Sequence, residues 1–111
     1  MTMIHELKVD KEYFMPIMQG KKTFEVRKND RDFQIGDFLA LNETEKTPGG
    51  VNYTGDAVLA VVKYILDTPD YCKDGFVIMG IKPCAVTFAS EYGPRFLLTR
   101  EDVARVGGYN L

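Results

Sequence analysis

The amino-acid sequence predicts a single α+β domain over residues 1–111, a small mixed β-barrel of five or six strands with one early and one late short helix. The length suits one compact domain and is too short for two. Most apolar residues fall in short runs, and several of these runs alternate with polar residues as strands do. Because an open sheet of such strands would leave bare edges, we expect them to close into a barrel.

The first elements are a strand and the early helix. Residues 4–9 alternate, with the odd-numbered side chains facing the core. Asp10 is suited to cap the helix and Gly20 to end it, while Pro16 inside it predicts a kink or two short turns. The apolar residues between these signals have helical spacing: Tyr13, Phe14, Ile17 and Met18.

A second strand is predicted over residues 23–28, where apolar and polar side chains alternate. This alternation places Phe24 and Val26 in the core and Glu25 and Arg27 on the polar face. The side chains on that polar face are therefore available for a site.

The rest of the chain predicts strands separated by turns. Turns are expected by composition at residues 29–32 and 36–37, and loops at 45–52 and 67–75. Thr99 can cap the late helix, with Asp102 at the capping-box position. Strands are expected at four places: residues 38–43, 57–66, 76–81 and 85–89.

The charge is unevenly distributed along the chain. The net charge of −2 and the pI near 5.4 exclude a protein that coats DNA through bulk positive charge. Residues 21–31 nevertheless contain five cations and only two acids. The sequence therefore predicts a local basic patch on an otherwise acidic protein.

Other classes of site are disfavoured by composition. Cys72 and Cys84 form no CxxC motif, and His5 is the single histidine, so we expect neither a metal site nor a cofactor. His5 shares its strand face with core residues and is interpreted as a hydrogen-bonded core or rim histidine. With no signal-peptide pattern and no membrane-length apolar run, the sequence predicts a cytoplasmic protein that does not associate with membranes.

The segment Gly20-Lys21-Lys22-Thr23-Phe24-Glu25-Val26-Arg27 resembles the signature of ASCH domains, in the PUA-like superfamily. The longer run from Phe24 to Asp37 is similar to DUF3850, a bacterial and phage family of uncharacterised domains. Two further elements match that family, His5-Glu6-Leu7-Lys8 and Tyr53-Thr54-Gly55. The resemblance covers residues 3–82 and leaves the tail after Lys82 outside it.

The resemblance implies a PUA-like barrel and, by analogy, binding of RNA or a nucleotide-like ligand. The residues themselves support such a site if the first two strands are neighbours. Arginine clamps phosphates, glutamate accepts from exocyclic amino groups, and tyrosine stacks on bases. The candidate ligand-binding residues are Lys8, Lys22, Glu25, Arg27, Arg31 and Tyr53.

Two other interpretations of the same residues stay open. Glu25 and Arg27 could pair on a solvated strand face, as exposed ion pairs often do. Some ASCH proteins are amidohydrolases acting on N4-acetylcytidine, whose lysine matches Lys22. Their threonine position, however, holds Glu25 here, and their later glutamate has no clear counterpart. A hydrolase of modified nucleosides using Lys22 and Glu25 is thus an alternative to a non-catalytic binding domain, which we favour. A protein-interaction module with an unknown partner is a second alternative.

Overall fold

The computed structural model describes residues 2–90 and 93–97 and shows a β-rich α+β domain built on one sheet. The late helix predicted at Thr99 and Asp102 lies outside the described residues. The elements in chain order are β1 (Ile4–Asp10), α1 (Lys11–Met18), β2 (Phe24–Lys28), β3 (Phe38–Thr47), β4 (Gly50–Leu66), β5 (Phe76–Ser90) and β6 (Gly93–Leu97).

The sheet is open, so the predicted closed barrel is wrong. Its strands run in the order β1-β3-β4-β5-β2, and β6 pairs with β5. β1 and β3 are parallel, and the other pairs are antiparallel. β1 therefore forms one edge of the sheet, β2 lies at the opposite edge together with β6, and no strand ladder joins β1 to β2 within the described residues.

Side chains protect the edge of β1 where a closed barrel would have used a backbone ladder. Arg27 of β2 donates from Nη2 to the Lys8 carbonyl at 2.6 Å, and Arg31 donates from Nη1 to the Glu6 carbonyl at 2.9 Å. Charged donors thus satisfy two carbonyls of this edge strand. The edge of β1 is therefore not left bare, although no barrel closes. Because side chains and not a backbone ladder cover it, a gap remains between β1 and β2.

The early helix begins as the sequence predicts. Asp10 has extended backbone angles and accepts from the Glu12 N–H at 3.4 Å, a long and therefore weak capping bond. Pro16 lies inside one continuous helix, and the predicted division into two short turns is not observed. The helix has only eight residues, and the missing N–H of Pro16 costs it a single hydrogen bond, the one to the Glu12 carbonyl.

The helix ends in a Schellman motif that directs the chain towards β2. Gly20 has a positive φ of 74° and its N–H donates to the Ile17 carbonyl at 3.0 Å. The Lys21 N–H donates to the Pro16 carbonyl at 2.8 Å, which completes the motif. The Lys22 N–H shares that carbonyl at 3.0 Å, so the helix end also fixes the backbone of Lys22.

The core lies between α1 and the sheet. His5, Leu7 and Val9 face inwards, as the alternation of β1 predicts. The most completely buried large side chains of the helix and the central strands are Phe14, Ile17, Met18, Leu39, Leu41, Val58, Val62, Val77, Met79 and Val86.

Two predicted boundaries differ from the structure. The loop expected at residues 45–52 is a tight hairpin, with Thr47 paired to Gly50 across a Pro48–Gly49 turn. The strands expected at residues 76–81 and 85–89 form the single strand β5. The register of β5 shifts near Pro83, and such a bulge accommodates a residue that has no N–H to donate.

Candidate functional site

The two faces of β2 are the reverse of the predicted ones. Glu25 is only 4% exposed, whereas Phe24 and Val26 are 47% and 51% exposed. Alternation reveals that a strand has two faces, but not which face is covered. At this sheet edge the covered face borders the gap towards β1, where Glu25 meets two cations.

Glu25 is the centre of an ion cluster, which we call the triad: Lys22, Glu25 and Arg27. Lys22 Nζ lies 2.8 Å from Oε1 of Glu25, and Arg27 Nε lies 2.8 Å from Oε2. The cation side chains are 17% and 24% exposed. One carboxylate between two cations leaves the triad with one net positive charge at the gap.

Lys22 is held on several sides at once. Besides the bond to Glu25, its Nζ donates to the Phe24 carbonyl at 2.6 Å. The same atom lies 4.6 Å from the ring centroid of Phe24 and 5.5 Å from that of Tyr13. These contacts engage the amino group of Lys22 on several sides and fix its position beside Glu25.

A basic cavity of about 390 Å³ opens on one side of Arg27, and we call it the first cavity. Four cations and two acids line it, a formal charge of +2. Lys8 and Lys28 have no carboxylate partner in the part of the chain that the structure describes. The full lining is Glu6, Leu7, Lys8, Arg27, Lys28, Asp30, Arg31, Phe33 and Tyr53.

Tyr53 reaches the first cavity because β4 bulges just after it. Thr44 pairs with Tyr53 and Asn42 pairs with Ala57, so three residues of β4 oppose one of β3. Gly55 within this bulge has a φ of 93°, which side chains disfavour. The tyrosine ring is 61% exposed and lies 5.7 Å from Lys8 Nζ. Bulges commonly re-aim a side chain towards a site.

A second cavity of about 460 Å³ lies on the other side of Arg27, and we call it the second cavity. Lys8 and Arg27 line both cavities, so the two adjoin. Aromatic and aliphatic side chains make up much of its wall. The full lining is Lys8, Val9, Asp10, Tyr13, Lys22, Phe24, Glu25, Val26 and Arg27.

Tyr13 in the wall of the second cavity and Asp37 directly before β3 have shifted pKa values. The pKa of Tyr13 is raised above its ordinary value of 10.0, mainly by a hydrogen bond with Glu12 and by the charge of Glu12. Burial would raise the pKa of Asp37, but hydrogen bonds from His5, Met3 and Gln34 outweigh it and hold that pKa below 3.8. Asp37 therefore serves as a buried acceptor directly before β3.

The structure brings all six predicted ligand-binding residues to the gap between β1 and β2. Lys8, Arg27, Arg31 and Tyr53 line the first cavity, and Lys8, Lys22, Glu25 and Arg27 line the second. Lys28 and Tyr13 were not among the predicted ligand-binding residues. Lys28 belongs to the basic run, which was a usable signal, whereas Tyr13 shares the helical spacing of core residues and gave none.

The described residues contain few groups that could form another type of site. No group of histidine, cysteine, aspartate and glutamate side chains there could hold a metal ion. Both thiols are free, and Cys72 and Cys84 donate to the Leu66 and Lys82 carbonyls at 3.2 and 3.5 Å. No helix in the same part of the chain is long and apolar enough to cross a membrane.

Comparison with known proteins identifies one family and one similar protein by their sequences. The profile of the family described as Domain of unknown function (DUF3850) matches residues 4–81. An Escherichia phage P2 protein described as "Uncharacterized 12.9 kDa protein in GpA 3'region" is 39% identical over 74 residues. The matched part covers 67% of this chain and 64% of that relative, so the chain spans under two thirds of the relative's length.

Proposed function

This chain belongs to the DUF3850 family, and we propose that it is a non-catalytic domain that binds single-stranded RNA or a nucleotide. The observation that carries the proposal is the first cavity. It joins Lys8 and Lys28, which have no carboxylate partner among the described residues, to the exposed Tyr53. Its volume is within the size range of ligand sites, roughly 300–1,000 Å³.

The chemistry of the first cavity suits a phosphate beside a planar base. Lys8 and Lys28 supply point charges, and Arg31 presents the guanidinium donors that its bond to Glu6 does not use. Tyr53 offers an exposed π face close to Lys8. Proteins that bind single strands combine cations along the backbone with aromatic platforms for bases.

The triad supports binding over hydrolysis. A hydrolase using Lys22 and Glu25 would need one of them to exchange a proton with the substrate. In the structure Lys22 is paired with Glu25, and Glu25 also accepts from Arg27. We infer that the triad braces the gap and contributes one net positive charge. Kinship with the wider ASCH and PUA-like superfamily and a cytoplasmic location fit this function and remain predictions.

Binding can be tested with a short single-stranded RNA of mixed sequence, followed by fluorescence anisotropy. Because phosphate contacts release counterions, affinity should fall steeply as salt rises from about 50 to 200 mM. Replacing both Lys8 and Lys28 with alanine should weaken binding about tenfold and flatten the salt dependence. These two lysines are chosen because Arg27 and Arg31 also hold the β1 edge.

A charge-matched control is the double variant Lys11→Ala and Lys63→Ala. Both residues are exposed, and neither lines the two cavities. We expect this control to bind as the unmodified protein does. Equal weakening by both double variants would locate the binding elsewhere, and no binding at low salt would reject the proposed function.

A further inference from the structure

The second cavity is not used by the proposed function, although it adjoins the first. Tyr13 and Phe24 in its wall are 46% and 47% exposed and lie beside the triad. Lys22 Nζ lies 5.5 and 4.6 Å from their ring centroids. Exposed aromatic rings next to a fixed cation form a surface suited to a planar, polar-edged group.

Resting on the proposed function, we infer that the second cavity is a second base-binding subsite. The ligand is then a stretch of single-stranded RNA of at least two nucleotides, whose successive bases occupy the two cavities. A mononucleotide fills only one of them. The strand passes across Arg27 and Lys8, the two residues that the cavities share.

The shared residues have donors to spare for the linking phosphate. Arg27 uses Nε for Glu25 and Nη2 for the Lys8 carbonyl, and Nη1 has no partner among the described residues. In the same part of the chain Lys8 Nζ makes a cation–π contact with the Tyr53 ring and no hydrogen bond or ion pair. A phosphodiester between the two bases would meet both cations at this point.

The second cavity also fits a base better than another phosphate. Val9, Val26, Tyr13 and Phe24 supply apolar and aromatic surface, against which a base stacks. Asp10 in the same wall can accept from the exocyclic amino group of a base. Its volume of about 460 Å³ is in the range for small-ligand sites.

The inference can be tested by titrating a ribonucleoside 5′-monophosphate, a 5′-phosphorylated ribodinucleotide, its deoxyribose counterpart and a ribohexamer in a calorimeter. We expect the ribodinucleotide to bind at least about tenfold more tightly than the mononucleotide, since each stacked base adds affinity. The hexamer should bind at least as tightly as the dinucleotide. Tighter binding of the deoxyribose form would overturn the assignment to RNA.

Variants of the second cavity should remove that difference. Tyr13→Ala and Phe24→Leu should each bring the affinity ratio of dinucleotide to mononucleotide close to one. The matched control is Tyr64→Ala, because Tyr64 is 63% exposed and lines neither cavity. Circular dichroism melting checks that the variants fold, and Phe24→Tyr should retain the full ratio.

The outcomes separate the two proposals. Equal affinity for mononucleotide and dinucleotide, reduced by Tyr53→Ala, would overturn the second subsite and leave the first cavity as the binding site. An unchanged ratio in Tyr13→Ala and Phe24→Leu would also overturn it. No binding of any of the four ligands at low salt would overturn the proposed function and the second subsite together.

Discussion

Burying the charged carboxylate of Glu25 costs free energy, and the neighbouring side chains offset that cost. A carboxylate removed from water is costly unless donors replace the lost hydration. Glu25 receives Lys22 on one oxygen and Arg27 on the other, each at 2.8 Å. The pairing holds Lys22 and Arg27 in place beside the two cavities. The geometry of the gap between β1 and β2 therefore depends on Glu25.

Replacing Glu25 with glutamine should therefore destabilise the protein. The substitution keeps the shape but leaves Lys22 and Arg27 close together without their shared anion. We expect a loss of about 2–3 kcal/mol in the free energy of unfolding, below the value for a fully buried pair because both cations retain some water contact. Urea denaturation measures it, with Glu45→Gln as the control.

Glu45 is a suitable control because its pair with Lys11 is exposed and 3.6 Å long. Breaking such a pair changes stability by about 0.5 kcal/mol or less. If Glu25→Gln lowered the free energy of unfolding as little as Glu45→Gln, the triad would not be what holds Lys22 and Arg27 in place.

The candidate site was predictable as a set of residues but not as a set of contacts. Charge and spacing selected Lys22, Glu25 and Arg27, and the structure brings them together. The contact of Arg27 with the Lys8 carbonyl depends on the gap between two edge strands. No local pattern encodes that gap, which also explains why Phe24 was expected to be buried.

At the scale of elements, the ends of α1 follow local rules closely. Asp10 at the start and Gly20 at the end act as capping residues, as their chemistry predicts. The hairpin at residues 45–52 shows the opposite case. Its polar composition indicates a loop, but pairing with the neighbouring strand extends both β3 and β4 to the Pro48–Gly49 turn. Such tertiary pairing is not visible in local propensity.

Gly20→Ala should test the helix end. Its φ of 74° lies in the left-handed region, where a Cβ costs about 1–2 kcal/mol. We expect a loss of that size in the free energy of unfolding by urea denaturation. Gly20→Asn should lose less, since asparagine tolerates this conformation.

Gly49→Ala is the glycine control for this prediction. Its φ is not positive, and an added Cβ would meet only Thr47 Oγ1 at 3.9 Å. We expect a change within about 0.5 kcal/mol. Equal effects at Gly20 and Gly49 would mean that the Schellman motif does not constrain the chain.

At the scale of the whole molecule, the open sheet and the uneven charge together produce the basic first cavity. The chain carries a net charge of −2, yet the first cavity is basic because its cations come from two edge strands and the following loop. Had β1 and β2 paired, their backbones would have filled the gap. The sequence could predict a β-rich domain and a basic patch. Closure of the sheet into a barrel would depend on whether β1 and β2 pair, and no local pattern determines that.

Asp37 joins the start of β1 to the turn before β3 and should make stability depend on pH. It is buried, and it accepts from His5 Nε2 at 2.8 Å, from the Met3 N–H at 3.1 Å and from the Gln34 N–H at 3.0 Å. These bonds fasten the start of β1 to the turn before β3. Since the net effect is a pKa below 3.8 in the folded protein, folding favours the ionised form.

The stabilisation from ionised Asp37 is complete above the unfolded pKa and is lost as pH falls through the lower folded pKa. Asp37→Asn should therefore be less stable than the unmodified protein at neutral pH, and the difference should shrink below about pH 4. Urea denaturation at several pH values measures it. Asp67→Asn, at an exposed position, controls for the general effect of acid. A difference between Asp37→Asn and the unmodified protein that stays constant down to about pH 2.5 would contradict this role.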